Sequence, residues 1–342
     1  MPTDSDKVVR LRREGYDPFI DYLKGICIFF VILTHCLPSH TRHLVLFSLW
    51  GVPAVPIFLI IQVFHTYKKG MDSVNTNYAK LWGRVIKPFL MVELLLIGLT
   101  LGLELATSEF CGFSKFFIHI AKCGGRGYGA YYPWIYIQFA ILLPIIAPLF
   151  KRLNGIYLAI IFIGISEFFE ILCCVTNMPQ HIYRLLFFRY TFLIYLGYIL
   201  VTKGYVMNAK TLLLSLLSAL SILLFVYKKI DLTPFIYYAP KWRSCHWICY
   251  FYIAFFLFFV FKYMYQLIIG YEKICGYVKK MGRYSYEIFL FQMAYFCFHS
   301  YVIQFFSNMI ENSLVVELLA ITTAVIVCVV PVVSYKDYKD SK

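Results

Sequence analysis

One stretch of the sequence sets chemically active side chains at helical spacing inside an apolar run. Residues 21–35 include Asp21, Lys24 and His35, separated almost entirely by aliphatic and aromatic residues. At about 100° per residue, Asp21, Lys24, Ile28, Ile32 and His35 fall on one helix face. With a rise of about 1.5 Å per residue, His35 lies roughly 16 Å beyond Lys24. An imidazole at that depth is a candidate general base. A lone membrane histidine more often bonds another helix; here it ends a polar stripe, which favours chemistry. Lys24 at the other end is a candidate anion ligand.

Other ionisable residues inside apolar runs extend the pattern, because each such group is costly there. Counted from the span ends, Lys24, Arg84, Lys87 and Lys262 fall in one half, with Asp21, His65 and Glu287. His35, Glu104, Glu170, His299 and Glu317 fall in the other, with Arg184 and Arg189. Tyr131, Tyr132, Trp134 and Tyr136 stand at that second level. A cationic mouth suits a phosphorylated ligand. A level of carboxylates, histidines and aromatic rings suits a polyhydroxyl acceptor. A base also needs an orienting partner. Glu104, Glu170, His299 and Tyr132 are level with His35, and spacing alone does not choose among them.

These residues must be positioned by membrane helices. Of the 342 residues, 61% are hydrophobic and only 15% charged, far from a soluble domain, and mean hydropathy is +0.71. This excludes a soluble enzyme, a disordered chain and a secreted disulfide module. About twenty apolar residues cross a bilayer. Ten runs qualify: 19–37, 44–66, 82–105, 131–150, 156–175, 184–202, 211–227, 247–266, 284–308 and 313–335. The expectation is an all-α integral membrane bundle of about ten helices. With the N-terminus cytoplasmic, twenty of the 32 basic residues lie on inner segments and ten on outer ones. That bias places both termini in the cytoplasm. The segment 228–243 runs against it. The chain divides into a cytoplasmic segment 1–18, a membrane domain 19–335 and a cytoplasmic tail 336–342. The first run is too long for a cleaved signal peptide.

The net charge of +14 therefore marks membrane faces, and nucleic acid is not an expected partner. The 11 cysteines read mainly as small hydrophobes. Cys245, His246 and Cys249 resemble half of a metal clip, but no second cluster completes it, so no metal site is expected. Cys111 and Cys123 share one connection and would pair only in an oxidising compartment. Gly124 to Gly129, G-G-R-G-Y-G, reads as a flexible loop rather than a phosphate cradle. No Walker loop or zinc-protease motif occurs.

Several stretches together resemble the membrane acyltransferase 3 family. D-Y-L-K-G-I-C-I-F-F-V-I-L-T-H (Asp21 to His35) is similar to its first-helix motif. V-P-I-F-L-I-I-Q-V-F-H (Val55 to His65) resembles the second-span motif, and L-W-G-R-V-I-K-P-F (Leu81 to Phe89) the basic third-span motif. Y-Y-P-W-I-Y-I-Q-F-A-I-L-L-P-I (Tyr131 to Ile145) and M-G-R-Y-S-Y-E-I-F-L-F-Q-M (Met281 to Met293) follow in the family order. Lys24 stands where the family has arginine, Gln62-Val63 where it has a small pair, and Gln292 where histidine is frequent.

The resemblance implies an O-acyltransferase moving an acyl group, usually acetyl, from cytoplasmic acyl-CoA to a carbohydrate hydroxyl. The acceptor would be a surface polysaccharide or its glycolipid precursor, in a bacterial cell membrane. Acetyl-CoA would be a co-substrate, with no permanently bound cofactor. His35 would be catalytic, and Lys24, Arg84 and Lys87 would bind the donor. Asp21, Tyr132, Trp134, Glu104, Glu170 and His299 are supporting or acceptor-side candidates. A transporter or flippase of an oligosaccharide or lipid-linked sugar is the alternative. A membrane glycosyltransferase would need larger outer loops than these, and a partner protein without catalysis is disfavoured by His35.

Overall fold

The computed structural model describes residues 17–68, 78–107, 112–204, 207–230 and 246–340. The longer helices are α1 (Pro18–Cys36), α2 (Ala54–Tyr67), α3 (Lys87–Ala106), α4 (Phe113–Cys123), α5 (Tyr131–Arg152) and α6 (Gly155–Val175). There follow α7 (Thr191–Lys203), α8 (Ala209–Ile222), α9 (Trp247–Ile268), α10 (Glu272–Arg283), α11 (Ser285–Met309) and α12 (Ser313–Asp340). No strand occurs among the described residues.

Nine helices among the described residues are long and apolar enough to cross a membrane. The tenth expected span, 184–202, is instead broken. It covers the end of a short helix Gln180–Leu185, an extended Leu186, a 3-10 turn Phe188–Tyr190 and nearly all of the 13-residue α7. Thirteen residues rise about 20 Å, short of the roughly 30 Å hydrocarbon core. Arg189 sits at the break, 1% exposed, with its guanidinium 4.5 Å from the Tyr190 ring centroid and 5.3 Å from that of Tyr183. The aromatic rings shelter a cation that a straight apolar helix would leave among aliphatic side chains.

The centre of the bundle is α1, which packs against α2, α10, α11 and α12. It starts sharply because Asp17 caps it, its carboxylate accepting the Phe19 N–H at 3.0 Å, and Pro18 fits the first turn. Its polar stripe is held in place by α10, an amphipathic helix too short and polar to span. Gly282 of α10 lies so near α1 that a Cβ there would strike the Asp21 carbonyl, and a Cβ on Gly25 would strike the Val278 carbonyl. Such backbone contact requires residues without side chains at the crossing. It brings Arg283 to the same end of the bundle as Lys24.

That end is tied together by charged pairs. Lys280 Nζ lies 2.6 Å from Asp337 Oδ2, and Lys336 Nζ 2.6 Å from Glu287 Oε1. The Tyr284 hydroxyl donates to Asp340 at 2.7 Å. α12 continues as helix to Asp340, so its last turns carry these partners for α10 and α11.

Candidate functional site

A cavity of about 290 Å³ opens between α1, α2, α5, α10, α11 and the turn that precedes α3. Its cationic end carries Lys24, His65, Arg84 and Arg283. Arg84 belongs to a π-turn, Trp82–Ile86, that runs into Pro88. Pro88 has no N–H to donate, so the regular ladder fails there. Such widened turns recur at functional sites. The Tyr286 hydroxyl donates to the Val85 carbonyl at 2.8 Å, closing one gap in the turn. Lys24 Nζ lies 3.6 Å from Asp21 Oδ1, one helical turn back.

Further in, the walls are Ile28 and Val31 of α1, Phe58 and Gln62 of α2, Tyr132 and Tyr136 of α5, and Phe289 of α11. Gln62 donates to the Tyr136 carbonyl at 2.9 Å, which holds α2 against α5. Tyr132 meets Phe289 edge to face, with centroids 5.5 Å apart. These two rings stand at the inner limit of the cavity. His35 lies one helical turn past Val31, about 6 Å along the axis, and does not line the cavity.

His35 is half-buried. Its ring sits 5.3 Å from Phe296 of α11 and 5.5 Å from Tyr128. Tyr128 belongs to the glycine-rich segment between α4 and α5. A Cβ on Gly129 would lie 3.2 Å from the Phe289 ring and 4.0 Å from His35 Nε2. Phe289 and Gly129 therefore form a thin partition between the cavity and the imidazole.

The glycine-rich segment, expected to be flexible, is tied down on all sides. Glu93 of α3 accepts the Arg126 N–H at 2.6 Å. The Arg126 guanidinium runs along α3, donating to Thr100 at 3.1 Å and pairing with Glu104. Trp134 donates to the Gly124 carbonyl at 2.6 Å, and Arg184 to the Cys123 carbonyl at 2.7 Å. Glu93 lies thirteen residues before the end of α3, so the loop reaches about 20 Å back along it. Irregular backbone at such depth is tolerated only where protein groups satisfy it, and Glu93, Trp134 and Arg184 do so. A second, more open cavity of about 450 Å³ lies beside the loop, lined by Phe89, Glu93, Ile120, Trp134 and Leu185 among others.

The model of an acyltransferase domain, Acyl_transf_3, matches residues 17–333. The chain belongs to the acyltransferase 3 family. It is therefore a membrane acyltransferase, and a multi-pass one by its apolar helices. Searches of curated proteins and of solved structures return no match. For an acyltransferase the geometry supplies three useful parts: a cationic mouth, an apolar shaft with phenol groups, and an imidazole just past its end.

The expected site residues divide accordingly. Lys24 and Arg84 line the mouth, and Tyr132 the inner limit. Lys87 is exposed and lies outside the lining. Asp21 is buried beside Lys24. Glu104 holds Arg126, and Trp134 holds Gly124. His299 shares the Phe296 ring with His35, its own centroid 5.2 Å from that ring, and its Nδ1 lies 3.2 Å from the Tyr295 hydroxyl. Glu170 belongs elsewhere: it accepts the Tyr183 hydroxyl at 2.5 Å in a separate aromatic cluster with Phe169.

Three site residues escaped the sequence reading in those roles: Arg283, Gln62 and Glu93. Arg283 sits on α10, whose amphipathic period within E-K-I-C-G-Y-V-K-K-M-G-R was passed over as a connection. Glu93 had a direct signal, as a carboxylate inside the third apolar run that shares a face with Thr100 and Glu104. Cys111 and Cys245, candidates for a disulfide and a metal clip, lie outside the described residues. His246 is near Glu167, with Nε2 2.8 Å from its Oε1, and the Trp247 indole donates to the same oxygen at 2.5 Å. Among the described residues no three His, Cys, Asp or Glu side chains cluster as a metal site would require.

Proposed function

We propose that the chain transfers a small acyl group, acetyl above all, from acyl-CoA to a hydroxyl of a carbohydrate acceptor in the cell envelope. The observation that carries this reading is the cavity. Three cations, Lys24, Arg84 and Arg283, stand at one end, and the other end stops one helical turn short of His35. Phosphates of the donor bind at the mouth by charge-assisted hydrogen bonds. The pantetheine arm follows the apolar shaft, where Tyr136, Tyr286 and Gln62 offer polar contacts to its amides. A small displacement of Phe289 brings the thioester to His35.

In the transfer, the acceptor oxygen bonds to the thioester carbonyl carbon and the carbon–sulfur bond breaks. His35 takes the hydroxyl proton and passes it to the departing coenzyme thiolate, which leaves as the thiol. The apolar shaft keeps water from the thioester.

The test uses membranes from cells expressing the chain, supplied with acetyl-labelled acetyl-CoA and cell-envelope glycans. Label should enter the glycan fraction as base-labile ester in wild-type membranes, and not in His35→Ala membranes. No ester above the level of vector membranes overturns the transferase reading. Full activity in His35→Ala overturns the role of the imidazole. Movement of a labelled oligosaccharide without coenzyme release favours the transporter alternative.

A further inference from the structure

We propose that Glu93 is a positioning residue for His35, acting through the re-entrant glycine loop, an inference that rests on the catalytic reading of His35. The chain of contacts is continuous. The Glu93 carboxylate, 5% exposed, accepts the Arg126 N–H at 2.6 Å. Two residues on, the Tyr128 ring meets His35 edge to face, at 5.5 Å and 73°. A Cβ added at Gly129 would lie 4.0 Å from His35 Nε2, so the loop passes beside the imidazole.

The loop packs more tightly at Glu93 than at His35. Gly125 has φ +149°, and a Cβ there would strike the Glu93 carboxylate. Gly129 has φ +85°, where side chains are strained, and a Cβ there would lie 3.2 Å from the Phe289 ring. The loop is therefore pinned at two glycines, one against Glu93 and one against the partition beside His35. The Arg126 side chain adds a second anchor to α3 through Thr100 and Glu104. Loosening the first anchor lets Tyr128 and Gly129 withdraw from the imidazole, while the donor mouth, built from α1, α10 and the turn before α3, keeps its residues.

The role needs an acceptor for one N–H, not a negative charge, and this makes it testable. Misplacing a catalytic group by about 1 Å costs on the order of 100-fold in rate. Glu93→Leu should lower kcat about 100-fold, with the acetyl-CoA KM within about 3-fold of wild type. Glu93→Gln keeps an oxygen for the Arg126 N–H and should restore kcat to within about 5-fold. Gly125→Ala, which leaves Glu93 in place but crowds it, should reproduce the Glu93→Leu loss. A second readout needs no turnover. Diethyl pyrocarbonate should modify His35 faster in Glu93→Leu and Gly125→Ala than in wild type or Glu93→Gln, followed by peptide mass analysis.

Equal loss of kcat in Glu93→Gln and Glu93→Leu overturns the proposal, since charge rather than position would then matter. So does wild-type kcat in both Glu93→Leu and Gly125→Ala, or unchanged His35 modification in both. If Glu93→Leu fails to accumulate in membranes, Gly125→Ala and Glu93→Gln carry the test. A fully active His35→Ala variant, by contrast, removes the catalytic reading itself, and the modification assay still reports whether the loop covers the imidazole.

Discussion

Replacing Lys24 by alanine should weaken donor binding more than the loss of a single surface charge would. Two effects add at that position. The ammonium that faces the mouth disappears, and Asp21, whose Oδ1 lies 3.6 Å from Nζ, is left beside the incoming phosphates. Two unit charges 4 Å apart interact by about 1 kcal/mol in water and about 4 kcal/mol at an effective dielectric of 20. The Lys24 side chain is 24% exposed, so the mouth lies between these limits, at about 2 kcal/mol. With about 1.4 kcal/mol per factor of ten, the acetyl-CoA KM should rise about 30-fold in Lys24→Ala. The Asp21→Asn, Lys24→Ala double variant should recover part of this, because the residual repulsion is gone. The measurement is initial rate against acetyl-CoA concentration in membranes of matched expression. Repetition at higher salt should shrink the difference, since the mouth is open to screening. A KM change below about 3-fold, or a loss confined to kcat, would refute the placement of phosphates at Lys24.

The same assay separates the other basic residues: Arg283→Ala should raise donor KM about 10-fold, while Lys87→Ala, whose side chain is outside the lining, should stay within about 2-fold. Gly282→Ala should lower the thermal midpoint of the detergent-solubilised protein by several degrees, at the cost of about 1–3 kcal/mol expected for overpacking, whereas Gly98→Ala, with open space around it, should not. Phe289→Ala removes the partition between cavity and imidazole. Acetyl-CoA hydrolysis without acceptor should rise in that variant relative to transfer, measured as free thiol released per ester formed.

Much of this arrangement was legible in the residues. Helical arithmetic alone set Lys24 and His35 on one face and three turns apart, and α1 is a single unbroken helix from Pro18 to Cys36. The order of apolar runs anticipated nine spanning helices among the described residues. Two things were hidden, for physical reasons. Apolar content does not report continuity, so 184–202 counted as a span although Leu186 is extended and Arg189 needs an aromatic shelter. Depth counted along each helix does not report which faces meet. Glu170 and Glu104 were both level with His35 by that count, yet one bonds Tyr183 and the other Arg126. A polar α10 also reads as a loop to any hydropathy argument, although it carries Arg283 and the glycine that sets the mouth.

The loop at 124–129 shows why intramembrane charges require sorting before they are assigned to chemistry. Backbone that leaves the helix inside an apolar slab exposes N–H and C=O groups that water cannot reach. Each must find a side chain, and carboxylate, guanidinium and indole groups serve best because their hydrogen bonds are strong. Glu93 and Trp134 are used in this way around one loop, and the Arg126–Glu104 pair anchors it to α3. By the same reasoning, Lys280, Asp337, Lys336 and Glu287 lock helix ends. Under the proposed function, what is left for ligand chemistry is a short set: the cations of the mouth and His35. A carboxylate inside a span thus does not by itself mark a catalytic acid. Here Glu93 and Glu104 hold the loop that passes beside the imidazole, whereas Lys24, Arg84 and Arg283 face a cavity.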